Sequence, residues 1–124
     1  MKVEFLWRFM EDELDNQEIY NDIVHFVICE GIRKGEYETN MYIVRKVDQD
    51  NFIIYDEYTL QNYGPELSVQ CSVDRVTFFK ELIKFVRTKP SKLKEFPESS
   101  FDLEAYYDLK EIIAEEIRME KRKR

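Results

Sequence analysis

The sequence predicts an α+β domain: an antiparallel sheet of four to five strands over residues 2 to 73, then two helices packed on one face. Three observations carry that prediction. Residues 67 to 73 alternate strictly, Leu67, Val69, Cys71 and Val73 against Ser68, Gln70 and Ser72, as in a strand buried on one side. Asp74 then stands where a helix cap is needed, and Val76, Phe79, Leu82, Ile83 and Val86 follow at helical spacing, widened by Phe78 and Phe85. A second amphipathic pattern closes the chain, so strands come first and helices last.

Taken in order, residues 2 to 10 read as a strand, Val3, Phe5, Trp7 and Phe9 alternating with Lys2, Glu4, Leu6, Arg8 and Met10. Residues 11 to 18 concentrate negative charge and read as a solvated connection. Residues 19 to 31 support two readings. Asp15 with Glu18 offers a capping box and Gly31 a stop, which favours a helix. The unbroken run Ile23 to Cys29 is rich in β-branched and aromatic residues, which favours a strand covered on both faces. Strand is the preferred reading, although period alone cannot separate the two.

Lys34-Gly35 is a turn. Tyr37, Thr39, Met41 and Ile43 then alternate with Glu36, Glu38, Asn40 and Tyr42 as one long strand, which Val44 and Val47 continue. The tetrad from Asp48 to Asn51 is a hairpin connection to a strand over residues 52 to 58. Gln61 to Pro65 is a further turn. The helices are expected over about 75 to 87 and 101 to 120, joined by an irregular linker at 88–99 that carries two prolines. Ser99 with Asp102 caps the second, whose apolar face is Phe101, Ala105, Tyr106, Leu109, Ile112, Ile113 and Ile117. Glu116 interrupts that face, so contact with the core should weaken near Ile113.

Length and composition set the bounds on function. The 124 residues make a single domain (1–124), and 44% hydrophobic with 15% aromatic residues suffices for a core. The net charge of −7 opposes general affinity for phosphate backbones, so no direct nucleic-acid binding is expected. No apolar run reaches the roughly 20 residues of a membrane span, and the amino terminus lacks a signal-peptide pattern. Cys29 and Cys71 are read as reduced, buried thiols of a cytoplasmic protein.

Motifs for chemistry are absent. His25, Cys29 and Cys71 lack the paired short spacing of a structural zinc site, and no metal or other cofactor is expected. His25 with either thiol as a nucleophile–base pair lacks an electropositive setting. Asp48-Gln-Asp50 opens like a calcium loop, but the sixth and twelfth positions hold Ile53 and Thr59 in place of glycine and glutamate. Lys121 to Arg124 complement the dipole at a helix end. The expectation is therefore a protein that is not an enzyme; an unrecognised catalytic site would need a cavity around His25 or Cys29.

One pattern is informative: tyrosines interleaved with acids. It occurs at Tyr55, Asp56, Glu57 and Tyr58 with Tyr63 following, where rings supply contact area and carboxylates meet lysine or arginine. These five are the candidate partner-binding residues. Small size, acidity, many aromatics and no catalytic signature give the general profile of immunity proteins, which bind and neutralise a toxic enzyme. The expected partner is a protein, a basic toxin such as a nuclease or another nucleic-acid-binding enzyme. The alternative is a phage- or plasmid-borne inhibitor of a host defence or DNA-binding protein that imitates nucleic acid, with Glu104, Asp108, Glu111 and Glu115 recurring on one side of the last helix.

Overall fold

The computed structural model describes residues 3–29, 31–88, 93–95 and 102–122. The elements run α1 (Val3–Glu13), α2 (Gln17–Ile28), β1 (Gly35–Glu38), β2 (Tyr42–Asp48), β3 (Asn51–Asp56), α3 (Glu57–Tyr63), β4 (Gln70–Asp74), α4 (Arg75–Thr88) and α5 (Leu103–Arg122). The strands form one antiparallel sheet in the order β1-β2-β3-β4, so each pairs with its neighbour in sequence. The class is α+β with a four-stranded antiparallel sheet. Its order differs from the expected one, because two helices precede the strands.

Residues 2 to 10 are expected as a strand and fold as α1. The alternating reading placed Leu6 and Met10 on the polar face. Both are apolar, and Phe5, Leu6, Phe9, Met10 and Leu14 are buried together at helical spacing. Residues 19 to 31 are likewise helical, not extended. Tyr20, Ile23, Val24, Val27 and Ile28 fall on one buried side of α2. Asn16, one residue after the expected cap, accepts from the Ile19 N–H at 2.9 Å. The helix ends at Cys29, ahead of Gly31. Lys46 of β2 reaches its last turn and donates to the carbonyls of Phe26 (3.0 Å) and Cys29 (3.1 Å).

The long strand expected from residue 36 is two strands. Thr39 turns the chain: its hydroxyl accepts from the Tyr42 N–H and its N–H donates to the Tyr42 carbonyl at 2.9 Å. This shifts the alternation, so Tyr42, Val44 and Lys46 point inward while Ile43, Arg45 and Val47 lie on the other face. The strand over 52 to 58 stops at Asp56, where α3 begins. Of the four apolar residues in the strand expected over 67 to 73, only Cys71 and Val73 are buried. Leu67 is 77% and Val69 47% exposed, because pairing begins at Gln70.

The inward face packs on α1, α2 and α4 through edge-to-face rings: Phe9 and Phe5 on Tyr42, Phe26 on Phe52, and Phe78 on both Phe52 and Phe9. Trp7 Nε1 donates to the buried Glu81 carboxylate at 2.9 Å and ties α1 to α4. Helix α5 backs α4, with Tyr106 against Phe79, so the helix layer is α1, α2 and α4, not the two C-terminal helices. Asp74 and Asp102 cap α4 and α5, accepting from the N–H groups of Thr77 (2.7 Å) and Ala105 (3.0 Å). Contact does thin after Ile113, but Lys80 pairs with Glu116 (3.6 Å) and Glu120, holding the last turns to α4. Phe101, Ser99 and most of the linker at 88–99 lie outside the described residues, as do Lys123 and Arg124.

Candidate protein-binding surface

The candidate surface is the end of the sheet where β2 starts and β3 stops. Asp56 closes β3 with an extended backbone, and its carboxylate accepts from the Thr59 N–H at 3.0 Å, which starts α3. The Thr59 hydroxyl accepts from the Val69 N–H at 2.9 Å, and the Asp56 N–H donates to the Val69 carbonyl at 2.8 Å. Gly64 ends the helix with φ 82°, a value that a side chain disfavours. Ser68 donates to the Pro65 carbonyl at 3.1 Å, and Gln70 to the same oxygen, folding residues 64–69 back on β4. A short helix and a return loop are thereby held rigidly against the sheet.

The five candidate residues separate. Tyr55 lies on the sheet face away from the helices and is only 3% exposed. The Arg45 guanidinium covers its ring at 5.1 Å, and Glu36 holds that guanidinium at 2.7 Å, which also raises the arginine's pKa. Tyr55 thus offers a partner almost no area. Asp56 is committed to the cap. Tyr58 and Tyr63 do face solvent, 69% and 58% exposed, and Glu57 is half-buried at the start of α3. Glu57 accepts from Gln61 at 3.0 Å, one turn along.

Sequence reasoning missed three neighbours. Leu67 and Val69 were assigned to the core face of a strand, yet they stand exposed in the return loop. Met41, half exposed, was placed within a strand and instead sits at the turn before β2. A recess of about 300 Å³ lies between that turn and α3, lined by Asn40, Met41, Asp56, Glu57, Tyr58 and Gln61. It combines an exposed ring, a thioether and two carboxylates, groups that suit the apolar stem and charged head of lysine or arginine.

Acidic residues at the end of α1 reach the same place. The Glu13 carboxylate, 3% exposed, accepts from the Met41 N–H at 3.0 Å, while the Met41 carbonyl accepts from Glu57. Tyr42 donates to Asp12 at 2.6 Å, and burial first, then that hydrogen bond, pushes its hydroxyl above the ordinary tyrosine range. The end of α1 and the start of α3 are thus joined through the main chain of Met41. His25 and Cys29 lie a turn apart on α2, and no group of three or more potential metal ligands occurs among the described residues. No helix among them is long and apolar enough to cross a membrane. Comparisons with protein-family models, curated proteins and solved structures returned no match.

Proposed function

We propose that this is a protein-binding inhibitor that acts in the cytoplasm without catalysis, neutralising a basic partner as immunity proteins neutralise a toxin. One observation carries the reading. Exposed Met41, Tyr58, Tyr63, Leu67 and Val69 gather at one end of the sheet with Glu57 and Glu66 among them. A rigid aromatic and apolar patch with an acidic rim suits a wet, specific interface, and the net charge of −7 speeds encounter with a basic protein. The test is co-expression with the product of the adjacent gene, followed by capture at low and at high salt. A one-to-one complex that survives high salt supports the reading. Recovery of the protein alone at both salt levels removes it.

A second reading has its own observation. Glu104, Asp108, Glu111 and Glu115 all face solvent on α5, at steps of about 4.5 to 6 Å along the axis. Lys110 turns aside to Glu95 at 2.5 Å, leaving the row broken only by Arg118 beside Glu115. Such a row supports imitation of a phosphate backbone to block a DNA-binding protein. The two readings separate in one competition assay. Replacing the four acids by their amides abolishes inhibition under the second, whereas Tyr58→Ala weakens it under the first.

A further inference from the structure

The two edges of the sheet differ in a way that bears on how a partner attaches. The Asp56 N–H to Val69 carbonyl and Arg75 N–H to Asp50 carbonyl bonds set the parity of the β3–β4 ladder. With Ile54 opposite Cys71 and Phe52 opposite Val73, the odd-numbered residues of β4 turn their main chain to β3. Gln70, Ser72 and Asp74 therefore direct theirs outward, and no described residue accepts from their N–H groups. At the opposite edge the same parity turns Glu36 and Glu38 outward on a strand of four residues, the charged and shortened form that discourages pairing. The β4 edge carries less of that protection, with Asp74 its one charged outward residue. Ser72 is exposed and neutral, Gln70 is half-buried and neutral, and the exposed Leu67 and Val69 lead straight into it.

We propose that the partner joins the sheet here, laying an extended segment beside Gln70–Asp74 as a fifth strand. This rests on the protein-binding reading above and specifies how the partner is held. Main-chain bonds to Gln70, Ser72 and Asp74 give the register, and side chains of the added strand alternate between two environments. Those on the helix side meet Val69 and Val73 and are apolar. Those on the other side meet Gln70, Ser72 and the exposed Asp74, with the exposed Glu66 in the loop that leads into the edge, and are basic or polar. A second copy of this chain is the disfavoured occupant, since each copy carries −7 and would set Asp74 and Glu66 near their own kind.

The probe is an end-capped peptide of roughly seven residues, enough to span a short strand, alternating valine with lysine. It is titrated at low salt into the isotope-labelled full chain, and amide hydrogen exchange is followed residue by residue. The expected result is exchange slowed about tenfold or more at Gln70, Ser72 and Asp74, with Cys71 and Val73 unchanged because they already pair with β3. Ser72→Pro removes the central outward N–H while sparing the ladder, and it abolishes the slowing. Ser72→Lys keeps the N–H but opposes the lysines, and it weakens binding in a chain whose Cys71 and Val73 protection certifies the fold. Unchanged exchange at the three amides overturns the inference. So does protection confined to Glu57–Tyr63, which moves the contact to the recess and leaves the functional reading standing. Protection that grows with protein concentration without peptide also overturns it, and assigns the edge to a second copy. Protection at the edge in a chain that captures no adjacent-gene partner keeps the strand-accepting edge and removes the inhibitor reading instead.

Discussion

The carboxylate of Glu13, at the last residue of α1, holds the main-chain N–H of Met41 at 3.0 Å. That bond joins the first helix to the turn before β2, and the Met41 carbonyl passes the connection on to Glu57 at the start of α3. Three elements distant in sequence are thus locked around one small recess. A surface built this way changes little on binding, so its affinity depends on which side chains it presents.

Tyr58→Ala or Tyr63→Ala should weaken capture of the partner by about 2 kcal/mol, the cost of losing an aromatic anchor. Glu57→Ala should mainly slow association and flatten its salt dependence. Surface plasmon resonance at two ionic strengths separates the effects. If all three variants bind like the parent, the tip is not the interface.

Tyr55→Ala should behave differently. Its ring is buried beneath Arg45, so the change should lower stability by roughly 2 kcal/mol or more, read as a reduced urea midpoint. Stability equal to that of the parent chain would contradict the packing described.

Asp56→Ala removes the α3 cap and should cost about 1 kcal/mol. Because α3 carries both Tyr58 and Tyr63, the variant should also bind more weakly while its fold persists. Faster amide exchange at Thr59 is the direct readout.

Lys46→Met should destabilise the fold by about 1 to 3 kcal/mol. The Lys46 side chain is 1% exposed, its pKa is lowered by desolvation, and its ammonium satisfies two carbonyls at the end of α2. Methionine fills the space between Phe26 and Phe52 but donates nothing. Exchange at the Cys29 N–H, which closes the last turn, should accelerate.

Stability should fall in alkali. Burial raises the hydroxyls of Tyr20, Tyr42 and Tyr106, the last to about 12. An unfolded tyrosine loses its proton near pH 10 while these still hold theirs, so the folded state binds more protons. Their stabilising contribution is complete below about pH 10 and is lost as pH rises through the folded values. Urea midpoints should hold from neutral pH to about pH 9 and decline above about pH 10, less steeply in Tyr20→Phe. A flat profile would contradict the burial.

How much of this was legible in the sequence depended on whether one periodicity stood alone. The helix after Asp74 has a helical stripe and an unambiguous cap, and it falls where the pattern puts it. Residues 3 to 10 satisfy both periods at once, because Leu6 and Met10 are apolar whichever face they are assigned. Residues 23 to 29 satisfy neither exclusively, and what fixes their helix end is Lys46, a residue distant in sequence. The turn at Thr39 lacks glycine and proline, so the β1–β2 hairpin left no familiar mark. At the candidate surface, Tyr58, Tyr63 and Glu57 were visible as a composition of residues. Met41, Leu67 and Val69 were not, since their exposure follows from where pairing stops.

The Trp7–Glu81 bond spans 74 positions of sequence. Sheet pairing, by contrast, joins only consecutive strands, so hairpin closure is local and quick, and docking of the first helix is the slow, long loop to close. On the ribosome, Phe5, Leu6, Phe9 and Met10 emerge early, and even after Tyr42 is made their cover is incomplete until α4 follows. That interval is when the nascent chain is most open to aggregation or chaperone capture. In refolding experiments Phe9→Ala should therefore speed unfolding while scarcely slowing folding, the mark of a contact that forms after the barrier.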